Sequence, residues 1–308
     1  MGKVASWLLH ETIGVTLYDK IILISFKLAY LFMRFFLTIV LGKKRRDILY
    51  NQKGISFNSF FYNIINRLGL YNNILLRIKV PKYNYMFFCR GNNEDFIFMT
   101  GHEDEILPYF KPKSGAIVID VGAHIGHHTL IAAKRVGPKG KVIAVEADPK
   151  NLEILNKNIK LNKFDNVNTI NYAVHSKETK IKLYTPEKES GRTIYNTIME
   201  DRISPEEKFI EVNAKTLDSI LQENGIKHEQ VNWIKIDVEG AELEVLKGAT
   251  DILSKSKDIS LLIEIHHLSD GVTLYDPILD FLRLYNFKVD FEKIHLGGER
   301  HIIMRKKE

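Results

Sequence analysis

Three short runs of this 308-residue chain hold the residue types that can carry chemistry. The first is Asp120-Val121-Gly122-Ala123-His124-Ile125-Gly126. Its glycines, Gly122 in a tight turn and Gly126 at a helix entrance, let a ligand approach the backbone. A dinucleotide would want G-x-G-x-x-G, whose middle glycine lets pyrophosphate close onto the helix. Here that middle position is His124, and Asp120 would repel a phosphate while favouring a cationic ligand. The second run ends in Glu146, placed to accept two hydrogen bonds from ribose hydroxyls. Acids at both places fit an adenosyl ligand with a cationic methionine tail, which describes S-adenosylmethionine. The third set is Asp237-Val238-Glu239-Gly240 with Glu264-Ile265-His266-His267. Methyl transfer from a sulfonium requires an acceptor held in line and its proton removed. His266 is the preferred base, because an unperturbed imidazole pKa of about 6.5 lies near neutrality. Asp237 would position acceptor or cofactor, and Glu239 would bind a hydroxyl or cap the following helix. Asp237, Glu239 and His266 also have the ligand types for a divalent cation, but the expected chemistry uses no metal. His124, His127 and His128 have helical spacing, yet a glycine-rich helix entrance is a poor metal cage. Each residue alone has a plainer reading, as a cap, a solvated side chain or a structural histidine; their order along the chain favours the chemical one.

The elements that must position these residues are legible in the apolar pattern. Residues 116–121 (AIVIDV) form a continuous apolar run closed by a turn, as a buried parallel strand does, and 125–136 carry helical spacing. Further strands are expected at 141–146, 167–174, 231–236 and 260–266, with a helix starting near Pro149 and running through Leu161. Strands alternating with helices predict an α/β, doubly wound, mostly parallel sheet. Segments 287–291 and 301–305 read as an antiparallel hairpin closing it. In such sheets ligands lie outside the carboxyl ends of the strands. Asp120, Glu146, Asp237 and His266 all fall at expected strand ends. Upstream, 85–88 and 96–98 suggest a hairpin around Gly91-Asn92-Asn93. Within 173–214 the chain is polar and turn-rich, and Tyr195-Asn196-Thr197 falls in an insertion expected to face substrate.

Composition bounds the rest. Hydrophobic residues at 45% and charged residues at 27% describe a folded chain with ample core, not a disordered one. One cysteine, Cys89, excludes an intrachain disulfide, and there is no Cys/His ladder of zinc-finger spacing. Residues 1–50 contain 8 Lys/Arg and 3 Asp/Glu, a net +5 out of the total +6. The remainder carries about +1, too even for a phosphate-tracking surface, so no nucleic-acid partner is expected. The basic excess flanks an apolar run at 21–41 that contains only Lys27 and Arg34 and is followed by Lys43, Lys44, Arg45 and Arg46. This run is long enough to span a bilayer, but two central charges make insertion marginal. With Tyr30 and Thr38 they form a polar stripe suited to a helix lying in a membrane interface; packing on protein or against a second copy of the chain are the other readings. A cleaved signal peptide is disfavoured, because the run starts late and lacks a small-residue cleavage site. The expectation is a hydrophobic, basic helical extension at 1–80, touching a membrane surface through 21–46 on the cytoplasmic side, followed by an enzyme domain at 81–308.

The runs VIDVGAHIGHHTLIAA (118–133), VIAVEADPKNLEILNKNIKLN (142–162), KTLDSIL (215–221) and WIKIDVEGAELEVLKGA (233–249), in this order, resemble the FkbM family of S-adenosylmethionine-dependent methyltransferases. The resemblance covers about two thirds of the chain, from Glu103 to Arg305, and IDVEGAE is its most specific motif. It implies a Rossmann-like class I fold and methyl transfer to oxygen, often on hydroxyls of sugars, polyketides or other small molecules, generally without metal. It also places Glu103 in an entry segment bordering the cofactor. The acceptor is a glycan, a lipid-linked sugar or a similar small hydroxyl compound. Competing readings are a nucleotide-sugar dehydrogenase or epimerase with a bound dinucleotide, which the missing middle glycine disfavours, and a module that keeps the cofactor pocket without turnover.

Overall fold

A computed structural model describes residues 12–14, 75–80, 85–90, 105–184, 197–198, 208–267, 273–295 and 298–306. The chain divides into two compact units, Met1–Glu103 and Asp104–Glu308. In the first, β1 (Thr12–Gly14) pairs antiparallel with β2 (Leu75–Val80), which pairs antiparallel with β3 (Tyr85–Arg90). β2 and β3 form a hairpin with Val80 opposite Tyr85; the 91–98 half of the hairpin expected around Gly91 lies outside the described residues. Proline has no N–H to give a ladder, which fits a strand that ends at Val80. Along β3, Tyr85, Phe87 and Cys89 are buried while Met86 and Phe88 are partly exposed, the period of two of a strand with one covered face. The β2–β3 pair straddles the boundary expected at residue 80. The apolar run 21–41, its basic flank, and Glu103 lie outside the described residues; among those described, no helix is long and apolar enough to cross a membrane.

The second unit is built on β4 (Ile117–Val121), α1 (His127–Val136), β5 (Lys141–Val145), α2 (Pro149–Leu161) and β6 (Val167–Ile170). After these come β7 (Ala173–Val174), β8 (Thr179–Tyr184), β9 (Phe209–Lys215), α3 (Leu217–Glu223) and β10 (Val231–Ile236). The unit continues through α4 (Glu242–Lys247), α5 (Thr250–Lys255), β11 (Ser260–Ile265), α6 (Tyr275–Arg283), β12 (Phe287–Ile294) and β13 (Arg300–Lys306). Among the described residues seven strands form the main sheet, in the order β12-β13-β11-β10-β4-β5-β6. The pairs β10–β11, β10–β4, β4–β5 and β5–β6 are parallel, whereas β13 runs antiparallel to both β11 and β12. From β4 the chain progresses outward through β5 and β6, then returns to place β10 on the other side of β4. This reversal between β4 and β10 is the switch point at which doubly wound sheets bind ligands.

The apolar runs explain why these strands are central. Ile119, Ile143, Ile234, Ile236, Leu261 and Ile263 are fully buried, in one cluster with Leu217, Leu221, Val245, Leu246, Ile278 and Leu282 from the helices. Helix starts follow local chemistry: Pro149 opens α2 behind Asp148, whose carboxylate accepts from the Lys150 N–H at 2.8 Å. Thr216 caps α3 through the Ser219 N–H at 3.1 Å.

The single strand expected over 167–174 is two strands in different sheets. β6 ends at Ile170, and Asn171 then turns its amide onto the carbonyls of Glu146 and Ala147, 2.8 and 3.0 Å away. β7 thereby joins a small second sheet, β7-β9-β8, built from the segment read as turn-rich. Exposure along β9 alternates, so that only a thin apolar signal was available.

Candidate active site

The turn after β4 is held by backbone bonds from both flanking strands. Gly122 and Ala123 donate to the Val145 carbonyl at 3.0 Å each, and Asp237 donates to the Val121 carbonyl at 3.1 Å. Gly122 has φ of 75°, and a Cβ there would lie 1.8 Å from the Asp237 carbonyl oxygen, so no other residue fits. At Gly126, φ is 104° and a Cβ would meet a Leu155 methyl at 2.5 Å. Asn158 of α2 donates to the Ile125 carbonyl at 2.7 Å, which pins the helix entrance.

Asp120 and Glu146 stand at adjacent strand ends, as expected. Asp120 is buried; its Oδ2 accepts from the Thr129 hydroxyl at 2.6 Å, and its Oδ1 has no hydrogen-bond partner and lies 3.6 Å from Lys235 Nζ. Burial raises the Asp120 pKa above the ordinary carboxylate value, against the pull of Lys235 and Thr129. An orphaned acceptor on a buried acid is a fitting partner for a cationic, donor-bearing ligand. The Glu146 carboxylate accepts from the backbone N–H of His124 at 2.7 Å and of Asp148 at 2.9 Å. Burial nevertheless pushes its pKa up to about 7, opposed by those two N–H groups. His124 has φ of 50°, a left-handed conformation uncommon for a residue with a Cβ, and Glu146 holds its N–H. His127 and His128 are buried on α1 rather than gathered with His124 around a shared point. Burial, with Lys235 and His127 nearby, holds His128 well below the usual imidazole pKa.

The third set converges beyond β10 and β11. His266 is buried, and its Nδ1 lies 2.8 Å from Glu242 Oε1. Its Nε2 faces Glu239 Oε1 at 3.5 Å, Asp237 Oδ1 at 3.8 Å and Glu264 Oε1 at 3.9 Å. Burial by itself would lower the His266 pKa; Glu239, Glu242 and Glu264 outweigh it and hold the imidazole well above its usual value. The favoured form in these surroundings is therefore the imidazolium, which has no lone pair with which to accept a proton. This changes what the base expected from the sequence can do on its own. Glu239 has φ of 55°, and its carbonyl accepts from the buried Thr197 hydroxyl at 2.7 Å, so Thr197 reaches this loop, while Tyr195 and Asn196 lie outside the described residues. Glu242 Oε1 also accepts from the Gly240 N–H at 2.9 Å, tying loop and histidine to one carboxylate.

Several participants were not singled out from the sequence. Lys235 sits opposite Asp120 in the β4–β10 register and donates to Asp237 Oδ2 and the Gly122 carbonyl, each at 3.1 Å. It ties the Asp120 turn to the Asp237 loop. Its signal was a lysine in the middle of a strand whose other positions are apolar, since lysine is rarely buried without a partner. Glu242 gave none, being one of several acids in a helix. Behind them His301, opposite Glu264 across the β11–β13 pair, lies 3.0 Å from Glu264 Oε2 and 2.8 Å from His295. His301 and His266 hold the Glu264 carboxyl below its usual range despite burial.

A sheet ordered 3-2-1-4-5-7-6 with its seventh strand reversed, with acids at its first two strand ends, defines the class I methyltransferase architecture. The family model described as the methyltransferase FkbM domain matches residues 120–289, more than half of the chain, and the chain belongs to that family. It is 28% identical over 181 residues to "Methyltransferase sdnD" of Sordaria araneosa, covering 51% of this chain and 69% of that protein. It is 27% identical to the AMB antimetabolite synthetase AmbE of Pseudomonas aeruginosa, over 73% of this chain but only 12% of that protein. Among solved structures, TYW2 of M. jannaschii in complex with AdoMet is similar at a TM-score of 0.42 and 16% identity, covering 76% of this chain and 87% of that one. The strand order, not that likeness, defines the fold.

Proposed function

We propose that the protein transfers the methyl group of S-adenosylmethionine to a hydroxyl oxygen of a glycan, a lipid-linked sugar or another small metabolite. The observation that carries this reading is the set of Asp237, Glu239 and His266, whose ligand atoms lie within 4.8 Å of one another beside the Asp120 turn. In this reading Asp120, Gly122, Gly126 and Glu146 hold the cofactor, with Glu146 receiving the ribose hydroxyls and Asp120 facing the cationic methionine part. The methyl–sulfur bond breaks with its electron pair left on sulfur, the acceptor oxygen takes the methyl, and the hydroxyl proton leaves. That proton enters the Asp237–Glu239–His266 cluster. With His266 held as imidazolium, a carboxylate oxygen of Asp237 or Glu239 takes it first, and His266 balances the charge.

The test is an incubation of the full chain with methyl-labelled S-adenosylmethionine and a panel of hydroxyl, amine and thiol acceptors, followed by analysis of the linkage formed. Label appearing on oxygen, and lost at least a hundredfold in Asp237→Asn and in Glu239→Gln, is the expected result. Label on nitrogen or sulfur alone would move the protein to another methyltransferase type. Binding of S-adenosylmethionine without transfer to any acceptor would favour the non-catalytic module, and binding of NAD instead would favour the dinucleotide enzyme.

A further inference from the structure

From the geometry beyond β10 and β11 we infer that Asp237, Glu239 and His266 form a binding site for one divalent transition-metal cation such as Mn2+. The three side chains offer two carboxylate oxygens and one ring nitrogen, all within 4.8 Å of one another. Nδ1 of His266 is fixed on Glu242 at 2.8 Å, the carboxylate–histidine arrangement that sets ring orientation at metal centres and leaves the other nitrogen to the ion. The remaining nitrogen, on a residue 3% exposed, is aimed at Glu239 and Asp237 from 3.5 and 3.8 Å, and a bound ion would take the place of the proton it carries in the metal-free site. These separations are too long for hydrogen bonds. They are close to the roughly 3.0 to 3.5 Å between neighbouring ligand atoms around an ion bound at about 2.0 to 2.2 Å.

Two further features hold the donors in place without the ion. Glu239 is kept in its left-handed conformation by the Thr197 hydroxyl on its carbonyl, and the Gly240 N–H is held by the same Glu242 oxygen that holds His266. Three protein ligands leave positions for exogenous oxygen, and mixed nitrogen and carboxylate donors suit Mn2+ or Zn2+ better than Ca2+. If the hydroxyl-acceptor reading holds, an open position would take the acceptor oxygen and lower its pKa; metal binding itself does not depend on that reading.

The experiment is a titration of the full chain with MnCl2, following loss of the free-ion electron paramagnetic resonance signal, with no methyl donor or acceptor present. One ion bound per chain is expected, with binding lost in Asp237→Asn and in His266→Asn. Glu242→Gln, which contacts no ion, should weaken binding ten- to a hundredfold while a thermal melt stays cooperative. Failure of the wild-type chain to bind Mn2+ or, by calorimetry, Zn2+ would overturn the inference. So would unchanged affinity in Asp237→Asn and His266→Asn chains that still melt cooperatively. Metal binding without methyl transfer to any hydroxyl would leave this site standing and remove the acceptor reading instead.

Discussion

On the proposed reading, Glu146 links folding and ligand through one side chain. Its carboxylate already accepts two backbone N–H groups, and burial brings its pKa to about 7. In that reading the ionised form is the one that would accept from ribose hydroxyls. As pH falls through 7 the carboxyl takes up a proton, so affinity for S-adenosylmethionine should fall several-fold between pH 8 and pH 6 when measured by calorimetry. Glu146→Gln should bind more weakly at pH 8 and show no such slope; a slope that persists in the variant would assign it to another group. Asp120 and Glu146 could be found from sequence because each closes an apolar run at a strand end. Lys235 and Glu242 could not be found that way. Their roles come from partners 115 and 24 residues away, Asp120 and His266, and only strand register and loop path bring those pairs together. Nor could the charge state of His266 be read: Glu239, Glu242 and Glu264 act together against its burial, and Glu264 comes from a separate stretch of the chain.

Elements followed from pattern wherever the apolar period was strong. The runs at 117–121, 141–145, 231–236 and 260–265 became parallel strands because their residues are buried on both faces. The pattern gave no warning of the break at Asn171, whose cause is a side-chain amide capping carbonyls of a different strand end. The most constrained element is the turn joining β4 to α1. Gly122→Ala would force a Cβ to within 1.8 Å of a backbone oxygen that the sheet itself holds, whereas Gly126→Ala meets the flexible end of Leu155 at 2.5 Å. Urea unfolding should therefore show a loss of about 1 to 3 kcal/mol for Gly126→Ala, in line with the usual cost of such backbone strain. A larger loss, or failure to fold, is expected for Gly122→Ala. Equal losses would mean that the β10 end gives way more readily than its hydrogen bonds suggest.

At the scale of the whole molecule, the sheet unit has near-even charge while the excess of +5 sits in residues 1–50. That distribution supports the proposal that residues 21–46 contact a cytoplasmic membrane face. The full chain should float with vesicles containing anionic lipid. Replacing Lys43, Lys44, Arg45 and Arg46 by serine should release it, each basic residue contributing about 1 kcal/mol near such a surface. A chain that stays at the bottom of the gradient with every vesicle composition would end the proposal. One feature of the sheet also bears on how the molecule is made. β13 lies between β11 and β12, yet it is synthesised last of the three, with 300 − 265 = 35 positions from the last residue of β11 to its own first. At roughly 5 to 20 residues per second, every nascent chain passes on the order of 2 to 7 seconds with the β11 edge bare and Glu264 without His301. Anything that delays the emergence of β13 behind β11 prolongs a stage at which β11 can pair with the wrong strand, a cost of the strand order that the finished sheet no longer displays.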